Sequence, residues 1–423
     1  MRFFLAILLG LAAPAFAAPA FAATSPGAKD PLIVIGIAAT LSGPGAMAGQ
    51  DAVDGFNLAM RHLGGRFANQ EVRVVVQDDH GSPGLAPSVA VRLAERDKAD
   101  VVLTATSRAS LMVLMKLLIN SKVFVFNLEA APAALAGAEC SAWFFQTGTP
   151  APAVHEAAGQ HFTAEHVQRL VVIGPETPQT EEAVAALKRT FTGEVVAVLK
   201  PRHGAATFQS EIARLSELKP DAVYTVLTGG MQVGFVRAYD AAGLKAQAPL
   251  AGPWTGFERP LLQAMAEAAL DTVNIAPWNA DLDTPQNKRL AVDFELEYGR
   301  PATSWAAQGY DTALLLDAAL KLTGGRTSDP DLLRSALRRA EVTSVRGGFR
   351  FNSNHQPVIN LYLRKVGRDA KGRLVNEIRS VVLKEWRDRN AAQCPLQWTN
   401  DPIPVPPQKS PPKPGATPAP PRR

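Results

Sequence analysis

The feature that most constrains the fold of this chain is a repeated alternation of apolar strands and amphipathic helices. Residues 32–38 (LIVIGIA) form an apolar run without polar alternation, as expected of a strand buried on both faces. Residues 51–63 place apolar side chains at helical spacing. Further strands are predicted at 72–77, 101–104 and 123–126, with helices at 86–96 and 109–120 between them. This series predicts a parallel sheet with helices on both faces.

The same alternation restarts after Thr149. The predicted strands are 170–174, 195–199 and 222–227, and the predicted helices are 181–191, 208–218, 233–242, 286–298 and 304–322. After Arg346 the pattern changes, because residues 348–351 and 359–366 look like strands with no helix between them. Two α/β halves, completed late by the returning chain, predict a bilobed protein with a cleft between the lobes.

The two ends of the chain do not look like folded domain. Residues 1–22 are predicted to be a signal peptide, because a short apolar run follows Arg2 and small-x-small cleavage sites end at Ala17 and Ala22. A membrane anchor is the alternative, but Pro14 and Pro19 interrupt the ~20 apolar residues that a span requires. Residues 399–423 form a Pro-rich tail that is predicted to be disordered.

The charge of the folded body indicates whether the chain binds nucleic acid. Of the formal net charge of +5, Arg2 supplies one and the tail a net three, so the body is close to neutral and shows no basic block. The sequence therefore predicts no nucleic-acid partner.

An exported chain meets oxidising conditions, so Cys140 and Cys394 are predicted to form a disulfide; two unrelated buried thiols are the alternative.

No motif in the sequence supports catalysis, a cofactor or a metal. The G-x-G-x-x-x-G pattern at 43–49 lies several residues beyond the first strand, whereas a dinucleotide fingerprint turns directly off the strand end. The S-x-x-K pattern at 216–219 has no second motif to support it. His155, His161 and His166 fall on a predicted polar helix at spacings that do not share a face, which argues against zinc. We expect a protein that is not an enzyme.

Six segments carry a resemblance to a known family. They are TLSGPG at 40–45, QDDHGSP at 77–83, LKPDAVY at 218–224, AAGLK at 241–245, GYDTALLLDAA at 309–319 and GGFRFN at 347–352. In this order they resemble the type I periplasmic substrate-binding proteins of ABC transporters, specifically the branched-chain amino acid (Leu/Ile/Val)-binding group. The resemblance covers roughly residues 31 to 385.

The resemblance implies a fold and a role. The fold is α/β, with two Rossmann-like lobes joined by three crossover strands near Thr147, Pro277 and Gly348, and with a ligand cleft between the lobes. Lobe 1 would comprise residues 31–147 plus 279–346, and lobe 2 residues 148–278 plus 347–398. The implied role is that of a monomeric periplasmic protein that delivers a small organic solute to an ABC permease in the inner membrane. A ligand-sensing subunit of a signalling system is the alternative role.

In lobe 1, the expected binding residues follow two strand ends, where doubly wound sheets bind ligands. Ser107, Arg108 and Ser110 begin a helix, and its N–H groups, the hydroxyls and the guanidinium favour an anion. Arg108 takes the place of a serine that, in the family's amino acid binders, lies in the loop holding the α-carboxylate; a solvent-facing arginine is the alternative. Glu129 and Ala130 follow the next strand, and Ala130 replaces the family's carboxylate-binding threonine.

In lobe 2, the sequence departs further from the family. Aromatic positions of the family correspond here to Ala48, Gln179 and Thr228, and the acid that would meet an α-ammonium corresponds to Trp254. An unpaired buried ammonium is costly, so this replacement argues against amino acid binding. We expect Trp254 to face an aromatic or extended apolar ligand that carries a carboxylate; an indole packed into the rim of the lobe is the alternative.

Overall fold

The structure, a computed structural model, describes residues 32–396. The predicted signal peptide and Pro-rich tail lie outside the described residues. The first sheet is six-stranded, with the order β2-β3-β1-β4-β5-β6, and is parallel apart from the β2–β3 pair. Its strands are β1 (Ile33–Ala39), β2 (Arg66–Phe67), β3 (Gln70–Asp78), β4 (Val101–Ala105), β5 (Phe124–Asn127) and β6 (Phe144–Gln146). Its helices are α1 (Ala46–His62), α2 (Ala86–Val91), which a π-helical turn over Arg92–Arg96 extends, and α3 (Arg108–Asn120).

The second sheet has eight strands, in the order β12-β13-β11-β10-β9-β7-β8 with β14 paired to β13. Its strands are β7 (Arg169–Ile173), β8 (Glu194–Leu199), β9 (Ala222–Thr225), β10 (Leu250–Pro253), β11 (Val273–Ala276), β12 (Phe349–Phe351), β13 (Pro357–Arg368) and β14 (Leu374–Trp386). The helices of this half are α4 (Ala151–Ala164), α5 (Pro178–Lys188), α6 (Gln209–Leu218), α7 (Gly229–Ala241) and α8 (Arg259–Met265). The parallel strands β7, β8 and β9 follow the predicted strand–helix alternation, and β10 and β11 continue the parallel sheet although they were not predicted. Strands β12 to β14 close the sheet with antiparallel pairs.

Three helices between β11 and β12 return the chain to the first half: α9 (Pro285–Tyr298), α10 (Ser304–Thr323) and α11 (Pro330–Arg339). Helix α10 packs along α1 at two glycines. A Cβ added at Gly55 would overlap the Ala306 carbonyl, and one at Gly309 would overlap the Ala52 carbonyl. The two helix backbones therefore touch directly, and this contact fixes α10 against the first sheet.

The chain passes between the halves three times, at residues 147–150, 277–284 and 340–348. A buried network joins the first and last of these connections. The Arg346 guanidinium pairs with Asp311 of α10 at 2.7 Å and donates a hydrogen bond to the Thr147 carbonyl at 3.0 Å. The Tyr362 hydroxyl donates to the Arg346 carbonyl at 2.9 Å. The observed architecture confirms the predicted fold class of two Rossmann-like lobes joined by three crossovers.

The prediction of a polar helix around the histidines was wrong. Helix α4 is largely buried and packs against β10, β11, β13 and β14 of the second sheet. Its buried face includes His155 and Glu156, while His166 lies beyond the end of the helix. Alanine and glycine make up half of the buried residues, so the helix lacks the strongly apolar stripe that usually identifies a core helix.

A disulfide joins Cys140 to Cys394 in the structure, with their Cα atoms 5.7 Å apart. Cys140 lies between β5 and β6 of the first sheet, whereas Cys394 follows β14 of the second. The short 3₁₀ turns Ala133–Ala136 and Arg389–Gln393 contact each other beside the bond.

Among the helices of the described residues, none combines the length and the apolar character needed to cross a membrane.

Candidate ligand-binding site

A cavity of about 370 Å³ lies between the two sheets, where the loops after β5, β7, β9 and β10 meet the start of α4. Its volume is within the range typical of small-molecule sites. The apolar lining residues are Leu128, Ala130, Ala151, Val154, Pro175, Ala183, Val226, Pro253 and Trp254. The polar lining residues are Glu129, Thr149, His155, Thr177, Gln179, Thr180, His203, Thr228, Thr255 and Gln308. None of the described lining residues is a lysine or an arginine.

The structure brings together five of the eight residues expected to bind a ligand: Glu129, Ala130, Gln179, Thr228 and Trp254 all line the cavity. It does not bring the other three, Ser107, Arg108 and Ser110, to the cavity wall.

The serine hydroxyls expected to bind a carboxylate are used by the helix that they begin. Ser107 is the N-cap of α3, and its Oγ accepts a hydrogen bond from the Ser110 N–H at 3.1 Å. The Ser107 hydroxyl also donates to the Ser110 Oγ at 3.2 Å, and Ser110 is fully buried. An N-cap serine of this kind stabilises its own helix.

Arg108 binds a protein carboxylate instead of facing the cavity. Its guanidinium lies 2.7 Å from a carboxylate oxygen of Glu182. Arg108 begins α3 beside the first sheet, whereas Glu182 belongs to α5 beside the second. The guanidinium expected to bind a ligand carboxylate thus forms an ion pair that joins the two halves of the molecule.

Trp254 lines the cavity and also packs against a neighbouring indole. Its indole follows β10 in a short 3₁₀ turn, is only 4% exposed and lines the cavity. The indole also contacts Trp305 of α10 edge to face, with the ring centroids 4.6 Å apart. Trp305 therefore fixes the orientation of an apolar wall to which both halves of the molecule contribute.

Glu129 contributes a carboxyl group that burial keeps uncharged. The Asn127 and Gln146 side-chain amides donate hydrogen bonds to the Glu129 carbonyl, the second at 2.5 Å, and so fix this loop at the end of β5. Burial raises the pKa of Glu129 to about 8, against the opposing effects of the Trp305 indole and the Ala130 N–H. Near neutral pH the carboxyl group is protonated and can donate a hydrogen bond.

Two further polar groups of the cavity were not identified from the sequence. The Gln308 Oε1 accepts hydrogen bonds from the Thr149 N–H at 2.7 Å and from the Thr149 hydroxyl at 2.6 Å, tying α10 to the first crossover. His155 lines the cavity from α4, and its Nδ1 lies 2.8 Å from the Tyr224 hydroxyl. Burial, assisted by the charge of Arg108, lowers the pKa of His155 to about 3, so the imidazole is neutral.

Three helices begin at the cavity and point their N-termini towards it. They are α4, which starts at Ala151, α5, which Thr177 caps, and α7, which Thr228 precedes. The free N–H groups and the dipole of a helix N-terminus stabilise negative charge. The cavity thus combines an apolar lining with the partial positive charge of three helix N-termini. Its buried titratable side chains, Glu129 and His155, are neutral.

Two sheets linked by three crossovers, with a ligand cavity between them, define a bilobed solute-binding protein. The chain belongs to the periplasmic binding protein family, whose family model matches residues 32–372. A Leu/Ile/Val-binding protein homologue from Brucella melitensis is 23% identical over 360 residues, which cover 82% of this chain and 90% of that protein. These matches confirm the resemblance to the branched-chain amino acid-binding family.

Solved structures show the same fold. An ABC transporter solute-binding protein from R. palustris, in complex with benzoate, is 27% identical, with a TM-score of 0.76 over 85% of this chain and 99% of that one. A branched-chain amino acid transporter substrate-binding protein from Streptococcus pneumoniae, in complex with isoleucine, is 18% identical, with a TM-score of 0.72 over 82% and 99%. The class of solute-binding proteins is thereby established for this chain.

Proposed function

We propose that this protein is the periplasmic binding component of an ABC importer and captures a small carboxylate with an aromatic or extended apolar body. The observation that carries the proposal is the composition of the cavity. Trp254 and eight other apolar residues line its wall, and three helix N-termini supply partial positive charge. The proposed ligand matches both properties with one apolar and one anionic end.

The cavity disfavours a zwitterionic amino acid. Trp254 occupies the position where the family's amino acid binders carry an acid for the α-ammonium, and Glu129 is protonated near neutral pH. A buried ammonium without an ionised partner costs several kcal/mol. The R. palustris relative in complex with benzoate supports a ligand with a single negative charge and an aromatic ring.

The proposal includes closure of the two lobes over the ligand. The cavity wall combines the loops of the second sheet with Leu128, Glu129 and Gln308 of the first half. A ligand that contacts both sides favours the closed arrangement. We assign residues 31–147 plus 279–346 to one lobe and 148–278 plus 347–398 to the other. The packing of α10 on α1, and of α4 on β10 and β11, supports this division.

A thermal-shift screen followed by calorimetry tests the ligand class on the purified protein. The matched set is benzoate, uncharged benzyl alcohol and zwitterionic leucine. We expect benzoate or a larger aromatic acid to raise the melting temperature and to bind stoichiometrically, because a ligand that binds only the native state stabilises it by mass action. Tight binding of leucine with no binding of aromatic or aliphatic acids would overturn the proposed ligand class.

Uptake measurements test the transport role. A strain that lacks this chain is expected to lose uptake of the labelled acid identified in the screen and to regain it when the chain is restored. The control is a strain that produces the Trp254→Ala variant, which is expected to restore little uptake. Unchanged uptake in the deletion strain, for a ligand that binds the purified protein, would contradict the role in import while leaving solute binding intact.

A further inference from the structure

We propose that His155 donates a hydrogen bond from Nε2–H to the bound solute, and that Tyr224 fixes the imidazole in the tautomer that makes this possible. The inference rests on the proposed function and deepens it, because it assigns the kind of group that the site recognises. An N–H donor at this position binds a carboxylate or another hydrogen-bond acceptor and offers no acceptor to an ammonium group.

The tautomer follows from the hydrogen bond between Tyr224 and His155. Tyr224 lies on β9 and is fully buried, and its hydroxyl is 2.8 Å from the His155 Nδ1. Within residues 32–396, the hydroxyl has no other hydrogen-bond partner. If Nδ1 carried the proton and donated it to the tyrosine oxygen, the buried hydroxyl hydrogen would be left without an acceptor, which is costly. The hydroxyl therefore donates to Nδ1, and the neutral ring carries its proton on Nε2.

Within the described chain, no residue occupies the second ring nitrogen of His155. His155 is 9% exposed and belongs to the cavity wall. No residue of the described chain forms a hydrogen bond with its Nε2. The Tyr224 ring, which does not line the cavity, meets the imidazole edge to face, with the ring centroids 5.8 Å apart. A preorganised buried donor without a protein partner is suited to a ligand acceptor.

The neighbouring charges support a neutral imidazole. Burial, together with the Arg108 guanidinium, lowers the pKa of His155, so Nδ1 stays unprotonated and can accept a hydrogen bond from the Tyr224 hydroxyl. The protonated carboxyl of Glu129 is a second neutral donor on the same cavity wall. Both groups can donate to a carboxylate. An ammonium would find no acceptor at His155, and this difference sets the direction of selectivity.

The binding test compares two ligands on five proteins: wild type, His155→Leu, His155→Gln, Tyr224→Phe and the matched control His161→Leu on the same helix. The ligands are benzoate, which accepts, and benzylamine, which only donates. We expect His155→Leu to lower benzoate affinity by about tenfold or more, because a hydrogen bond to a charged group is lost. We expect His155→Gln to recover part of this loss through its amide donor, and His161→Leu to bind like wild type. Circular dichroism establishes that each variant is folded.

The Tyr224→Phe variant removes the hydroxyl that fixes the tautomer but keeps the His155 imidazole. Without the hydroxyl, the proton is free to move to Nδ1, and we expect a weaker preference for benzoate over benzylamine although His155 is intact. Nitrogen-15 NMR of the histidine ring at neutral pH reads the tautomer directly, and we expect a protonated Nε2 in wild type and a mixture in Tyr224→Phe.

Three outcomes overturn the inference. A protonated Nδ1 in wild type would contradict the tautomer. Benzoate affinity of His155→Leu equal to that of wild type would contradict the contact with the ligand, and the proposed function would still stand because wild type binds. If wild type bound no carboxylate, the proposed function would fail and this inference would fail with it.

Discussion

At the scale of single residues, the burial of Glu129 makes the charge of the cavity depend on pH. With its pKa raised to about 8, the carboxyl group is neutral below that pH and ionised above it. An ionised Glu129 repels a ligand carboxylate in the same cavity, so we expect benzoate affinity to fall by about threefold to tenfold between about pH 7 and about pH 9. In Glu129→Gln the affinity is expected to stay constant over this range. Calorimetry at several pH values measures both.

The chosen pH range isolates Glu129 from His155. Burial lowers the pKa of His155 to about 3, so its imidazole remains neutral throughout. The control is benzyl alcohol, whose weaker binding should show no such fall because the ligand is uncharged. An equal fall of benzoate affinity in wild type and in Glu129→Gln would show that another group controls the pH dependence.

Trp254 is expected to supply much of the affinity for an aromatic ligand. Replacing it with alanine removes the indole surface from the cavity wall, and we expect Trp254→Ala to lower benzoate affinity by about tenfold, with a smaller loss in Trp254→Phe. Calorimetry on the three proteins checks this. A short aliphatic acid serves as control, because it loses less when the indole is removed. Unchanged benzoate affinity in Trp254→Ala would assign the indole to packing against Trp305 alone.

The sequence identified part of the cavity wall because strand ends are predictable. Glu129 and Ala130 lie just after β5, a predicted strand, whereas Trp254 was identified from the resemblance to the family because β10 was not predicted. The ion pair of Arg108 could not be predicted, because Glu182 is distant in the chain and no local pattern connects them. His155 was missed for a related reason: the tyrosine that orients it lies on another element, and the surrounding alanines made α4 look unlike a core helix.

At the scale of elements, the ion pair between α3 and α5 is expected to favour closure of the lobes. Arg108 and Glu182 are partly exposed, and such pairs contribute about 0.2–1 kcal/mol. We therefore expect Arg108→Ala to weaken ligand binding by no more than about fivefold, through a less populated closed state. Calorimetry measures the affinity, and small-angle X-ray scattering of the ligand-free protein measures the opening.

The charge swap provides the control for this ion pair. A protein with Arg108→Glu and Glu182→Arg together is expected to recover most of the affinity that either single change removes. A loss of tenfold to a hundredfold in Arg108→Ala, without recovery in the swap, would instead indicate direct contact between the guanidinium and the ligand carboxylate.

The close contact between α1 and α10 predicts that a side chain added at Gly309 destabilises the protein. A methyl group at Gly309 overlaps the Ala52 carbonyl, which belongs to rigid backbone, so the helices must separate to accommodate it. We expect Gly309→Ala to lower the free energy of unfolding by about 1–3 kcal/mol or more. Gly230→Ala is the matched control, because a Cβ there meets nothing within 4 Å and should be neutral or slightly stabilising. Urea unfolding compares the two, and equal stabilities would contradict the close contact.

At the scale of the whole molecule, the disulfide is expected to be a major contribution to stability. Cys140 and Cys394 are 254 residues apart in the chain, and closing a loop of this length is worth about 5 kcal/mol in the chain-entropy description. We expect no reactive thiol in the unreduced protein and a large loss of stability on reduction. Thiol titration and urea unfolding test this, with the Cys140→Ser, Cys394→Ser double variant as reference. Two reactive thiols in the unreduced protein would refute the bond.

The two-lobed architecture was predictable because its main signal is periodic and repeated. Long apolar strands such as β1 and β7 and long helices such as α10 stand out in a single sequence. Strands β10 and β11 were not predicted because Gly252 and Pro253 in β10 and Asn274 in β11 interrupt the apolar run, and the seven-residue helix α8 is too short to show helical periodicity. The buried network of Thr147, Asp311 and Arg346 unites three distant segments, so only the folded chain reveals it.

The path of the chain through the second sheet has a consequence for synthesis. Strand β11 is made before α9, α10 and α11, yet its partner β13 is made after them. A nascent chain that has emerged as far as α11 therefore carries an incomplete sheet with an open edge at β11, and open edges pair readily with other chains. Ribosomal arrest or premature termination before β13 would yield an aggregation-prone fragment, although such a fragment already contains every strand of the first sheet and the helices that pack on it.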